Sequence, residues 1–170
     1  MKTSRLFQTI LAASLLSLTT QALAQSYPSR PLRFVTASVG SPQDVIGRMF
    51  ALKVAENWGQ PIVVDNRAGA GALISIQAAA KAPADGYTVL VSSAAFAVTP
   101  FLYSNLGYDS EKDLIPVALL ATTPNIFVTG PGTGIKSLKD VVERSRGGNV
   151  QYGSPGFGTT PQLSAEYLFK

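Results

Sequence analysis

The 170-residue chain contains no cysteine and no histidine. Without cysteine no disulfide braces the fold, and no thiolate is available as nucleophile or metal ligand. Without histidine the commonest zinc ligand, the Ser-His-Asp triad and the usual general base near neutral pH are all excluded. Charge is sparse too. Asp, Glu, Lys and Arg make up 14% of the chain, and the basic residues are scattered rather than gathered into a run or onto one helical face. A net charge of +4 therefore does not amount to a nucleic-acid-binding surface, and no nucleic acid is expected as a partner.

What is present begins with Lys2 and Arg5, followed by an uncharged segment from Leu6 to Leu23 that closes on Ala22-Leu23-Ala24. A basic start, an apolar middle and a small-x-small end define a secretory signal peptide, here residues 1–24 with cleavage after Ala24. The stretch approaches the roughly 20 residues a spanning helix needs. Its Thr, Ser and Gln content and the Ala-Leu-Ala site favour export over anchoring. Loss of Lys2 and Arg5 leaves twelve basic against ten acidic residues, a net charge of +2.

The remaining sequence alternates strand-like and helix-like segments. Leu32 to Ala37 is a nearly all-apolar run and is expected as a central strand of a parallel sheet. Ser38 to Gln43 is a loop. Asp44 to Trp58 is expected as a helix, with an apolar stripe of Val45, Met49, Leu52, Val54 and Ala55, a start favoured by Pro42 and Asp44, and an end at Gly59 and Pro61. Ile62–Asp65, Leu73–Lys81 and Thr88–Ser92 read as strand, helix and strand. A short helix broken by Pro100 is expected in 94–103. The apolar runs Leu114–Thr122 and Asn125–Thr129 read as two strands meeting at Pro124, a crossing point between lobes. Ser137 is placed as the N-cap of a helix that ends near Arg146-Gly147-Gly148. Val150–Gly153 reads as a short strand, and Pro161–Lys170 as an amphipathic helix with Leu163, Tyr167 and Leu168 on one face. The alternation is still running at Lys170, so the expectation is the amino-terminal part of a longer protein.

Four loops follow apolar strands. Ser38–Asp44 leads into a helix whose free N–H groups can hold an anion, although most such loops are only connections. Asn66–Gly71 contains Gly69-x-Gly71, but Ile74 stands at the third glycine position of a dinucleotide fingerprint, so the glycines are read as packing and turn residues. Ser92–Thr99 places Ser92, Ser93 and Thr99 beyond a strand end. Ser154–Thr160 is rich in glycine and donors, with Thr159 or Thr160 as an N-cap. A nucleophile among Ser92, Ser93 and Thr160 would need a nearby base. Lys81 and Lys112 flank turns rather than these loops, so an enzyme, for example a hydrolase, is not the expected class.

Four blocks, Asp65-Asn66-Arg67-Ala68-Gly69-Ala70-Gly71, Ala84-Asp85-Gly86-Tyr87-Thr88-Val89-Leu90, Tyr108-Asp109 with Lys112-Asp113 and Pro116-Val117, and Tyr152-Gly153-Ser154-Pro155-Gly156, occur in this order. Together they make the chain from Tyr27 to Lys170 resemble the tripartite tricarboxylate transporter substrate-binding family, also called Bug proteins. The resemblance implies an α/β fold of the type II periplasmic-binding-protein kind, with two lobes joined by crossing strands and a small carboxylate held in the cleft. It implies a first lobe over 25–123 and the start of an incomplete second lobe over 124–170. Partners would be membrane transporter subunits or, in the alternative, the sensor kinase of a two-component system.

Carried over by position, the resemblance assigns ligand contacts to loop one (Ala37, Ser38, Gly40, Ser41 and Asp44), loop three (Ser92 and Ser93) and loop four (Ser154, Gly156, Gly158, Thr159, Thr160 and Gln162). It implies no cofactor and no metal, since backbone amides and ordered waters would hold the carboxylate. Where the family commonly has Pro-Phe and a Gly-Gly pair, this chain has Thr36-Ala37 and Gly40-Ser41, while Asp44 and Arg48 are retained. Gln162 stands at a common histidine position and cannot titrate. Family members are about twice as long, so this chain by itself is expected to bind weakly or not at all.

Overall fold

The computed structural model describes residues 26–148 and 150–170. The signal segment and its cleavage site lie outside them. Three strands, β1 (Leu32–Thr36), β2 (Ile62–Asn66) and β3 (Thr88–Leu90), form a parallel sheet in the order β2-β1-β3. β1 is central, as its apolar run requires. Leu32 pairs with Ile62 and Thr36 with Asn66 on one side, and Phe34 pairs with Val89 on the other.

Helix α1 (Pro42–Trp58) joins β1 to β2, and α2 (Leu73–Ala80) joins β2 to β3 after a short 3₁₀ turn at Ala70–Ala72. The two connections run in opposite directions across the sheet. Right-handed crossovers therefore put the two helices on opposite faces. Alternation along β1 feeds both layers: Phe34 packs with Ala51 and Val91 under α1, while Val35, wholly buried, faces the other way, toward the layer of α2, whose Ile76 is also wholly buried.

α1 differs from its expected inward face. Val45, Met49 and Leu52 are exposed, and the buried positions are Asp44, Gly47 and Ala51. Small residues line the contact, and a Cβ at Gly47 would lie 3.6 Å from the methyls of Val91, in ordinary van der Waals contact. The helix begins two residues earlier than expected, capped by the Ser41 hydroxyl, and ends at Gly59 with φ +65°.

α3 (Ala95–Leu102) is not broken by Pro100. The Phe96 carbonyl left without a donor by the proline nitrogen accepts instead from Thr99 Oγ1 at 3.2 Å. The expected strands Leu114–Thr122 and Asn125–Thr129 are not strands here. Among the described residues no neighbouring backbone pairs with them, and side chains such as Val117, 89% exposed, face solvent. An extended segment is stabilised as a strand only within a ladder. Only Leu120 reaches the apolar cluster under α1.

Val150–Gly153 likewise forms no strand. Tyr152 instead packs on Phe169 of α5 (Thr160–Phe169) and donates its hydroxyl to Glu166. Of the face expected on α5, Tyr167 is 86% exposed and Ala165 is the buried residue. α4 (Leu138–Ser145) carries the expected Ser137 cap as a full capping box with Asp140, whose carboxyl is held below its ordinary range chiefly by the Lys136 N–H. No helix among the described residues is long and apolar enough to cross a membrane.

Burial sets the expected energetic contrast. Ile76→Ala should cost about 2–4 kcal/mol in urea unfolding, as for a buried aliphatic truncation. Tyr167→Ala should change stability by less than about 0.5 kcal/mol.

Candidate functional site

In a parallel sheet the free loops collect at the carboxyl ends of the strands, and ligands lodge where the strand order reverses. Here that point lies between β1 and β3, flanked by loop one after Thr36 and loop three after Leu90. Two hydroxyls stand there without a hydrogen-bond partner among the described residues, Thr36 Oγ1 and Ser92 Oγ, and both oxygens are shut off from bulk solvent. Unpartnered buried hydroxyls are uncommon and call for an explanation.

Loop one is built around a buried carboxylate. Asp44 is 2% exposed and accepts from the Gly40 N–H at 2.9 Å, Asn66 Nδ2 at 2.8 Å and Arg48 Nε at 3.0 Å. These donors, led by Asn66, lower its pKa from 3.8 to about 2. The Asp44 N–H in turn donates to Ser41 Oγ at 3.3 Å. Of the loop-one residues assigned from the resemblance, Gly40 thus has its N–H engaged within the loop, Ser41 caps α1, and Asp44 is a structural anion. Ala37 has its carbonyl tied to Asn66 Nδ2 at 3.3 Å, and Ser38 accepts from the Ser41 N–H through its carbonyl.

In loop three, Ser93 Oγ accepts from the Ala95 N–H at 3.3 Å, whereas Ser92 keeps its hydroxyl unengaged. Thr99 lies further along α3 and shares its hydroxyl with Tyr108 at 3.1 Å. Loop four closes on itself. Thr159 donates to the Gly156 carbonyl at 2.7 Å, and Gln162 Oε1 accepts from the Gly158 N–H at 3.2 Å. Thr160 opens α5 and Ser154 is exposed.

Loop four seats against loop two and α3. Phe157 packs edge-on against Tyr103, whose hydroxyl donates to the Ala70 carbonyl at 3.1 Å. A Cβ at Gly71, φ +60°, would meet the Phe157 carbonyl oxygen at 1.9 Å. Gly71 is therefore the packing residue the sequence suggested, and its bare Cα is what admits loop four. Among the described residues no hydrogen bond joins loop four to 37–44. Loops one and three thus follow the neighbouring strands β1 and β3, and loop four seats on loop two. Thr36 begins the expected first ligand loop, Thr36–Asp44, whereas Asn66 and Arg48 were not among the expected contacts, although Asn66 sits in register with Thr36 at the polar end of an apolar strand.

A separate groove of about 350 Å³ beside α1 and β2 is lined by Ala51, Leu52, Ala55, Ile62 and Val64, with Arg48 as its one charged lining residue among those described. Among the described residues no acidic cluster is arranged to hold a metal ion.

The model of the tripartite tricarboxylate transporter family receptor matches residues 46–170. The chain belongs to this receptor family. It is 37% identical over 162 residues to a UPF0065 protein of Bordetella bronchiseptica, covering 94% of this chain and 48% of that protein. It is 36% identical over 148 residues to the protein BugT of Bordetella pertussis, covering 84% and 45%. Among solved structures, an R. palustris protein with adipate superposes with a TM-score of 0.77 at 31% identity, over 83% of this chain and 48% of that one. A periplasmic transporter superposes equally well at 32% identity, over 84% and 49%. The chain spans about half the length of the curated relatives it matches. The observed α/β fold is of the periplasmic-binding-protein class expected from the sequence.

Two outcomes follow for the receptor. Asp44, with its lowered pKa, contributes roughly 2 kcal/mol that is fully present above about pH 4 and lost as pH falls through about 2. The stability gap between wild type and Asp44→Asn in urea titrations should therefore narrow across that interval. Gly71→Ala, which puts a methyl onto the Phe157 carbonyl, should raise amide exchange at 156–159 about tenfold or more while α2 stays protected.

Proposed function

We propose that this receptor chain captures a small dicarboxylate in the crevice between β1 and β3 and that the intact receptor delivers it to membrane transporter subunits. The observation that carries the reading is the pair of enclosed, unpartnered hydroxyls, Thr36 and Ser92, at the reversal point of the sheet. A ligand oxygen, directly or through an ordered water, gives such groups their missing partner. Adipate in a structural neighbour supports the dicarboxylate class. The basic, apolar and small-x-small order of residues 1–24 supports a periplasmic location after cleavage following Ala24.

We further propose the division into a first lobe over 25–123 and the start of a second over 124–170. Loop four, with Ser154, Gly156, Gly158, Thr159, Thr160 and Gln162, then supplies the facing wall. The neighbours are about twice as long, and a ligand walled only by the segments present here stays partly in water. Its donors are then incompletely desolvated and aligned, which places the affinity of the 170-residue chain in the millimolar range.

With a Kd of about 1 mM, about 10 mM adipate stabilises the folded state by roughly 1.4 kcal/mol and raises the thermal midpoint by about 4 °C. A diol of the same length should give no shift. Absence of a shift with every dicarboxylate of a panel would overturn the ligand class. A micromolar Kd in calorimetry would overturn the weak affinity.

A further inference from the structure

A carboxylate buried in the wall of an anion site is unfavourable by charge alone, and Asp44 is such a group at the root of loop one. Asn66 resolves the conflict. Its Nδ2 donates to Asp44 Oδ1 at 2.8 Å and to the Ala37 carbonyl at 3.3 Å, and its Oδ1 accepts from Arg48 Nη2 at 2.8 Å. Two acceptors face its nitrogen and one donor faces its oxygen, so the amide has a single productive orientation. The backbone beneath is fixed by the Thr36–Asn66 register and by the Arg67 N–H donating to the Thr36 carbonyl at 2.7 Å. Asn66 therefore ties the start of loop one through Ala37 and its end through Asp44, which itself holds Gly40 and Ser41.

We propose that Asn66 is the positioning residue of the crevice, touching no ligand but setting the placement of loop one opposite Ser92. This rests on the carboxylate reading of that crevice. Aspartate is nearly the shape of asparagine but places a second oxygen against Asp44 and leaves the Ala37 carbonyl without a donor. The charged groups facing position 66 are Asp44 and Arg48 of α1, while the adjacent Asp65 pairs with Arg67 and Arg33. A proton shared between an introduced carboxyl and Asp44 restores one donor at lower pH.

The test compares wild type with N66A, N66D and, at a half-exposed side chain that bonds both Asn66 and Asp44, R48A. Adipate affinity is read by thermal shift, and exchange of the Gly40 amide by NMR without ligand. We expect N66A and N66D to weaken adipate at least about fivefold at about pH 7 and to speed Gly40 exchange at least about tenfold, with R48A intermediate and the Ile76 amide unchanged. Relative to wild type, N66D should regain affinity between about pH 7 and 5, whereas N66A should not. Unchanged Gly40 exchange in all three variants overturns the proposal, as does faster exchange with unchanged adipate affinity. If wild type binds no dicarboxylate, the carboxylate reading fails, and the exchange result alone upholds or overturns the positioning role.

Discussion

One buried negative charge organises the carboxyl-terminal end of the parallel sheet. Asp44 sits at the first turn of α1, where the helix dipole favours an anion, and draws donors from loop one, from its own helix and from the end of β2. Each donor comes from a different segment, so the carboxylate acts as a junction between loop one, α1 and β2. Removing a single donor leaves a buried charge underpaired, which costs far more than an exposed pair is worth. The geometry of loop one is for that reason a property of the network rather than of the loop's own residues.

Close approach provides the second constraint. Gly47 lets α1 lie against Val91, and Gly71 lets loop four lie against the 3₁₀ turn ahead of α2. At Gly71 the absence of a side chain sets how near loop four comes, since a Cβ there would overlap the Phe157 carbonyl, whereas at Gly47 a Cβ would make ordinary contact with Val91.

The sequence and the structure agree where local rules act alone. The apolar run at Leu32 becomes the central strand, Ser137 caps α4, and Gly59 ends α1 in the left-handed region. They part where a partner decides the outcome. Hydrophobic periodicity assigned α1's outward Val45, Met49 and Leu52 to the core, because a pattern of apolar residues cannot reveal that glycine and alanine permit tighter packing. The runs 114–122 and 125–129 have strand composition but no described neighbour to pair with. Pro100 read as a breaker because the remedy, the Thr99 hydroxyl, acts through a side-chain bond with no periodic signature. At the site, the sequence pointed to loops beyond strand ends, and several of their polar groups prove to be engaged locally, Ser41 as a helix cap and Asp44 as a buried anion. The bonding of Asn66 was not legible, since its three bonds join it to residues 29, 22 and 18 positions away in sequence.

At the opposite end of the sheet, Tyr27 lies edge-on to Tyr87 and Trp58 and donates to the Gly86 carbonyl at 2.7 Å. Arg30 covers Tyr87 at 4.0 Å and pairs with Asp85. These contacts lock the segment entering β1 onto the turn entering β3. The base of the sheet is thereby fixed independently of anything at its top. Such a division of labour makes the upper loops open to change: exposed residues beyond the strand ends can be exchanged while the aromatic and ionic contacts at the base keep the entry to β1 and the turn before β3 in place.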